Sequence, residues 1–180
     1  MNVLLTGAQG NLGKRVLQAF ADRGDRTLLL PLGFDLTESS GLAELKRIAR
    51  SAQPLDALVH LAGGFEGGTR MEDTPPSVFA AMMKANLSTS LGAFQTVLPI
   101  MTAQKSGSIV AISAEAARVP TATVSAYAAS KAALYSLVQS VNAENNETGI
   151  RALALTPRVL DTDERRDQAA REIVAFVHGE

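Results

Sequence analysis

The chain opens with Met1-Asn2-Val3-Leu4-Leu5-Thr6-Gly7-Ala8-Gln9-Gly10-Asn11-Leu12-Gly13, an apolar run that leads directly into three spaced glycines. The run Asn2–Thr6 is typical of a buried parallel strand, and the apolar spacing over Asn11–Arg23 predicts a helix. Glycines at such a junction let backbone N–H groups approach a phosphate, whose negative charge the helix N-terminus favours. The segment therefore predicts a phosphate-binding turn, and an ordinary tight strand–helix turn is the alternative.

The rest of the chain continues this alternation of strand and helix. Further strands are predicted at Arg26–Leu30, Asp56–Leu61, Ser108–Ser113 and Ile150–Leu155. Further helices are predicted from Thr37 or Ser39 to about Ala52, from Pro75 to about Gln104 with a bend near Pro99, over Val124–Asn145 and over Thr162–Val177. Such an order predicts an α/β fold, a doubly wound parallel sheet of about five strands with helices on both faces. Without an evident linker, we expect residues 1–180 to form a single domain.

Composition narrows the classes of partner. The 180 residues carry a net charge of -1, which argues against nucleic acid and against a charged membrane surface. The absence of cysteine and the presence of only two histidines, His60 and His178, lead us to expect no metal site. No apolar run approaches the ~20 residues of a membrane span. The expectation is therefore a cytoplasmic protein whose partner is a small-molecule substrate.

A pair of side chains near residue 130 carries the most specific chemistry. Tyr127 and Lys131 are spaced i,i+4, which places them on one face of a helix. An ammonium beside a phenol can lower the phenol's pKa from its usual value near ~10, which would make Tyr127 a general acid or base. The same spacing is also common where the Tyr packs in a core and the Lys is solvated. The pair indicates a catalytic role only in combination with the glycine turn.

Together, the Thr-Gly-x-x-Gly-x-x-Gly turn at Thr6–Gly13 and the Tyr-x-x-x-Lys pair make the chain similar to the short-chain dehydrogenase/reductases along nearly its whole length. The glycine spacing resembles that of the extended and divergent members of this superfamily. The resemblance implies a Rossmann-like, NAD(P)-binding domain over residues 1–180. NAD and NADP both remain open as the cofactor.

The family's site residues map onto positions that match its motifs. The resemblance implies that Tyr127 is the general acid/base, that Lys131 lowers its pKa and holds the nicotinamide ribose, and that Asn86 holds a proton-relay water. The implied catalytic residues are Tyr127, Lys131, Asn86 and Ser113. The implied cofactor-binding residues are Gly7, Gln9, Gly10, Asn11, Leu12, Asp35, Leu36, Ala62, Gly63, Gly64, Tyr127, Lys131 and Pro157.

Two local segments resemble the dihydropteridine reductase type within that superfamily. Ala62-Gly63-Gly64-Phe65-Glu66-Gly67-Gly68 is similar to its Ala-Gly-Gly-aromatic loop, and Thr156–Thr162 is similar to its segment that ends in Asp-Thr. Phe65 would then stack on a flat substrate ring or merely pack over the edge of the sheet. The likeness supports a subgroup and names no substrate.

The sequence also departs from the family pattern. The residue thirteen positions before Tyr127, where the family usually has its catalytic Ser, is Ala114, and Ser113 lies one position early. Between the first helix and Asp35, one strand and one helix of the usual pattern are missing. The second strand ends in Leu28-Leu29-Leu30-Pro31 without a carboxylate for the ribose 2′-hydroxyl, and Arg15 would either pair with a 2′-phosphate or be a solvated helix residue. His60 replaces a residue that is usually Asn, and we expect it to be structural.

The resemblance implies hydride transfer between nicotinamide and a carbonyl or quinonoid small molecule. The alternative is a catalytically weak dinucleotide-sensing or interaction protein on the same scaffold, and a third interpretation is a purely structural α/β subunit. The helices Pro75–Gln104 and Val124–Asn145 correspond to those that form the family's helix bundle between subunits. The resemblance therefore also implies a homodimer or homotetramer.

Overall fold

A five-stranded parallel sheet forms the centre of the computed structural model, which describes residues 1–180. Its strands are β1 (Asn2–Thr6), β2 (Arg26–Leu29), β3 (Ala57–His60), β4 (Gly107–Ile112) and β5 (Ile150–Leu155), and their order across the sheet is β2-β1-β3-β4-β5. All four pairings are parallel. The doubly wound fold predicted from the alternation is therefore confirmed.

Helices cover both faces of the sheet. They are α1 (Asn11–Asp22), α2 (Ser39–Ser51), α3 (Pro76–Met83), α4 (Thr89–Gln104), α5 (Ser125–Asn145) and α6 (Asp163–His178). One apolar cluster joins the sheet to α1 and α6, around Val16, Phe20 and Ile173. The larger cluster joins the opposite face to α2, α4 and α5, around Leu45, Phe94 and Leu134.

The helix predicted from Pro75 to Gln104 is interrupted at a different place from the one expected. Pro99 lies inside α4, whereas a π-helical turn at Lys84–Ser88 separates α3 from α4. A π turn holds one extra residue and is frequent at functional sites. It turns Asn86 inward, where that side chain is fully buried.

The strand β2 lies at one edge of the sheet. Only residues 30–38 connect β2 to α2, and β2 pairs with β1 alone. The order of strands reverses direction between β1 and β3, and a ligand cleft in such a sheet lies at the carboxyl ends of the strands on either side of that point. None of the six helices combines the length and the hydropathy needed to cross a lipid bilayer.

Candidate active site

The turn after β1 has the shape of a diphosphate cradle. Gly7 has φ of 71°, and a Cβ built there would lie 2.6 Å from the backbone N of Ala62. A Cβ on Gly13 would collide with the carbonyl oxygen of Gly7. Gly10 is the N-cap of α1 and supplies no side-chain cap, so the first N–H groups of the helix stay available to an anion. These residues fit the pyrophosphate of a dinucleotide.

An apolar cavity of about 310 Å³ adjoins this turn on the side of β2. Its walls include Gly7, Gln9, Leu30, Phe34, Asp35, Leu36, Ala62 and Gly63. The sequence-predicted adenine residues Asp35 and Leu36 thus lie together at one end of the cleft. Asp35 is the only carboxylate in these walls, and hydrogen bonds from Lys84 and Thr37 hold the pKa of that carboxyl at about 2.

A second cavity, of about 290 Å³, gathers the residues with catalytic potential. Tyr127 and Lys131 project into it from α5, opposite the glycine turn. Its remaining walls are Gly7, Gly10, Asn11, Leu12, Gly13, Leu61, Gly63, Gly64, Phe65, Ile112 and Leu160. The glycine turn borders both cavities, so a single extended dinucleotide can occupy them together.

Lys131 is buried at the base of this second cavity. Its ammonium Nζ donates to the carbonyl oxygen of Ile112 at 2.8 Å, and only 6% of the residue is exposed. Burial lowers the pKa of Lys131 from 10.5 to about 8, because a charged ammonium loses hydration there. This position above the end of β4 keeps the ammonium next to the cavity.

Tyr127 departs from one expectation. Burial raises the pKa of the Tyr127 phenol above its ordinary value of 10.0, whereas the spacing to Lys131 predicted a lowered pKa. The physical reason is that Lys131 Nζ is bonded to Ile112 and lies 5.7 Å from the centroid of the Tyr127 ring. The ring of Phe65 also packs edge-on against Tyr127, with 4.9 Å between the centroids.

The π turn ties Asn86 to the loop after β3 and to α5. Asn86 Oδ1 accepts the N–H of Gly64 at 2.9 Å, and its Nδ2 donates to the carbonyl of Gly64 and to Ser130 Oγ. A Cβ on Gly63 would lie 2.7 Å from Asn86 Oδ1 and 3.4 Å from Lys131 Nζ, so the three residues meet at one point. The structure therefore brings Asn86 to Lys131, as the motif predicted.

Ser130 is a contributor that the sequence reasoning missed. Its hydroxyl donates to the carbonyl of Tyr127 at 2.7 Å and accepts from Asn86 Nδ2, and the residue is fully buried. The sequence did contain a signal for this role, because Ser130 is a small hydroxyl residue inside an Ala-rich helix and directly precedes Lys131. Ser130 orients Asn86 and does not line the cavity.

Ser113 does not occupy the predicted catalytic position. Its hydroxyl donates to the carbonyl oxygen of Lys131 at 2.9 Å, and the residue is 1% exposed. Ala114, which follows it, offers no hydroxyl to a substrate. Ser113 therefore anchors α5 to the end of β4, and the expectation that it steadies a substrate carbonyl is corrected.

Three other residues line neither of the two cavities. Pro157 lines a neighbouring cavity of about 370 Å³ beside α6, while Leu160 of the same segment reaches the cavity of Tyr127. Arg15 forms ion pairs with Asp163 and Asp167 of α6, so its guanidinium contacts that helix and not the cofactor cavities. His60 is buried, its Nδ1 lies 2.7 Å from Thr6 Oγ1, and burial lowers its pKa to about 3. His60 is thus structural.

Comparison with known proteins agrees with this arrangement. A family model described as short chain dehydrogenase matches residues 1–173. The chain is 29% identical over 178 residues to a 2,3-dihydro-2,3-dihydroxybenzoate dehydrogenase of Escherichia coli, covering 92% of this chain and 71% of that protein. A protein of the same name from Bacillus subtilis is 32% identical over 130 residues, covering 72% of this chain and 49% of its own length.

Solved structures share the fold. A short chain dehydrogenase from Burkholderia cenocepacia in complex with NADP has a TM-score of 0.85 at 23% identity, and the alignment covers 99% of this chain and 84% of that one. The likeness to the dihydropteridine reductase type stays a prediction. The cradle of glycines, the parallel sheet and the family match lead to one conclusion: this chain belongs to the short-chain dehydrogenases, a family of NAD(P)-dependent oxidoreductases.

Proposed function

We propose that this protein transfers hydride between a nicotinamide dinucleotide and a carbonyl or quinonoid small molecule, with Tyr127 as the general acid/base. The observation that carries the proposal is the placement of Tyr127 and Lys131 in one cavity with the glycine turn. Binding of a dinucleotide alone does not require a phenolic hydroxyl at that place. A bound nicotinamide would supply the hydride chemistry, and the protein supplies position and the proton.

Within this proposal, the cofactor extends across both cavities. Gly7, Gln9, Gly10, Asn11 and Leu12 border the pyrophosphate. Asp35 and Leu36 flank the adenine. Ala62, Gly63 and Gly64 line the part of the cleft between the adenosine half and the nicotinamide half of the cofactor. Pro157 closes the nicotinamide end from the loop after β5.

The proton chemistry rests on Tyr127, Lys131 and Asn86. At neutral pH the phenol carries its proton, since its ordinary pKa of 10.0 lies well above 7 and burial raises that pKa further, so Tyr127 has a proton to donate to a substrate oxygen. Lys131 has a pKa near 8 and sits beside the cavity, where it can hold a ribose hydroxyl. Asn86, held rigidly by Gly64 and Ser130, supports a relay water next to Lys131.

The substrate side of the cleft favours a flat ring. Phe65 is 68% exposed and packs against Tyr127, so a planar substrate would stack on the exposed side of the Phe65 ring, next to the Tyr127 hydroxyl. Ala114 offers no second hydrogen bond to the substrate oxygen. A quinonoid compound suits such a site, because its reduction needs less polarisation of the accepting group than that of a simple ketone.

The experiment replaces the phenol alone. Tyr127→Phe keeps the ring and its packing against Phe65, so turnover should fall by at least about a hundredfold, the usual size of a general acid/base contribution. Cofactor affinity should stay within about twofold. The assay follows NADH or NADPH oxidation with a panel of carbonyl and quinonoid compounds. A Tyr135→Phe control, on the same helix but outside the cavity, should be unaffected. Wild-type turnover by Tyr127→Phe would exclude the assigned role.

A further inference from the structure

Close backbone contacts with two helices hold the connection between β2 and α2 in place. Only residues 30–38 span it, and no further strand supports it on the outer side. Leu36 is 3% exposed and anchors the segment in the core. A Cβ on Gly41 of α2 would collide with the carbonyl of Asp35, and a Cβ on Gly92 of α4 would collide with the carbonyl of Leu36. The backbone of Asp35 and Leu36 is thus clasped between two helices.

The side chain of Asp35 is held separately, by Lys84 on one oxygen and by Thr37 on the other. Lys84 Nζ lies 2.9 Å from Asp35 Oδ2, while Oδ1 accepts the backbone N–H and the hydroxyl of Thr37 at 2.8 and 2.7 Å. A carboxylate oxygen has about two acceptor positions, so Oδ1 is filled and Oδ2 keeps one free position. Lys84 therefore fills one of the two positions of Oδ2 and leaves a single position open to a ligand.

This ion pair has little to contribute to folding. The side chains of Lys84 and Asp35 are 57% and 39% exposed, and exposed ion pairs add little to the free energy of unfolding. Asp35 nevertheless lines the 310 Å³ cavity, whose other walls are mostly apolar or backbone. A carboxylate at the end of an apolar slot suits a flat heterocycle that presents an amino group.

Lys84 also begins the π turn that contains Asn86. Asn86 binds both backbone polar groups of Gly64 at the nicotinamide end. One helical turn therefore positions a residue at each end of the cofactor cleft.

We infer that Lys84 is a positioning residue for the adenosine half of the cofactor: it holds Asp35 so that Oδ2 accepts the amino group of the adenine. The inference rests on the proposed function, because it assumes that adenine occupies the cavity lined by Asp35. It assigns Lys84 no contact with the cofactor and no part in the proton chemistry.

The test removes the amino group from the ligand and the ammonium from the protein. Dissociation constants are measured by fluorescence titration for NADH and for its hypoxanthine analogue, which has a carbonyl where adenine has the amino group. In the wild type the analogue should bind about tenfold more weakly, the cost of a lost charge-assisted hydrogen bond. In Lys84→Met that difference should shrink to about twofold, while Lys84→Arg should restore most of it.

Two controls separate a positioning role from a general effect. Arg47→Met breaks an ion pair with Glu44 within α2 and should leave the tenfold difference intact. In Lys84→Met, KM for NADH should increase while kcat stays within about twofold. Thermal unfolding of the variant without cofactor should match that of the wild type.

The outcomes distinguish this inference from the proposed function. An unchanged tenfold difference in Lys84→Met, or equal binding of NADH and its analogue by the wild type, overturns the role of Lys84 and leaves the role of Tyr127 standing. Failure of the wild type to bind NADH and NADPH would overturn both.

Discussion

Lys131 occupies a position where stability and function oppose each other. Its ammonium is buried beside the cavity, and burial depresses its pKa to about 8. Each pKa unit corresponds to about 1.4 kcal/mol, so holding the charged form at neutral pH costs the cofactor-free fold about 3 kcal/mol. The hydrogen bond to Ile112 offsets part of that cost.

We therefore expect Lys131→Met to stabilise the cofactor-free protein while abolishing turnover. At pH 7 the free energy of unfolding should increase by roughly 1 to 2 kcal/mol, after allowing for the unpaired carbonyl of Ile112. Because the folded-state pKa lies below the unfolded value, the unfolded chain binds more protons between pH 8 and 10.5. Wild-type stability should therefore increase with pH in that window, and the variant should lack this contribution.

Urea unfolding at pH 7 and pH 9 measures both effects. The advantage of the variant should shrink by roughly 1 kcal/mol between the two pH values. Lys46→Met, which removes an exposed ammonium from α2, serves as the control and should change neither value. An unfolding free energy for Lys131→Met below that of the wild type at pH 7 would contradict the account of burial.

The π turn and the glycines around it determine the geometry of the adenine end. Lys84–Ser88 interrupts what the sequence pattern reads as one helix, and the interruption lets Asn86 face inward while Lys84 faces Asp35. Gly92, one turn further along α4, allows the carbonyl of Leu36 to approach the helix closely. The connection after β2 thus packs directly against helix α4.

Gly92→Ala should move that connection outward. The added methyl group would overlap the carbonyl of Leu36, and such overpacking costs roughly 1 to 3 kcal/mol. We also expect weaker binding of NADH, because Asp35 precedes Leu36. Chemical unfolding and a cofactor titration check the two effects, with the exposed Gln95→Ala on the same helix as the control. Unaltered stability and affinity in Gly92→Ala would show that the segment relaxes freely.

At the scale of the whole molecule, only residues 30–38 connect β2 to α2, so β2 forms one edge of the five-stranded sheet. The glycine turn and the Tyr127 cavity lie further into the sheet, at the ends of β1, β3 and β4. The outer faces of α4 and α5 remain exposed and carry Leu91 and small residues such as Ala129.

These exposed faces are where we expect the subunits of a homodimer or homotetramer to meet. Sedimentation velocity at micromolar concentration should show an assembly larger than a monomer. Ala129→Arg should shift it toward the monomer, because a long charged side chain prevents close packing of α5. Gln18→Arg on α1, at the opposite face of the sheet, should leave the assembly intact. A wild type that sediments only as a monomer would contradict this expectation.

Most of the fold could be predicted because its signals are local. The five strands and the major helices follow from apolar periodicity and from glycine or proline at their ends, and their observed bounds differ from the predicted ones by a few residues at most. The π turn could not be predicted. Its sequence continues the helical pattern, and the turn is stabilised by contacts of Asn86 with Gly64 and Ser130, which are distant in the chain.

The sequence alone determined the glycine turn, the strand–helix order and the placement of Tyr127 and Lys131 on one helical face, since each depends on spacing within a few residues. Only the tertiary structure decided that Ser113 binds the carbonyl of Lys131, that Lys84 pairs with Asp35, and that burial raises the pKa of Tyr127. Those outcomes depend on which distant segments pack together and on how much water they exclude, and neither quantity is contained in local spacing.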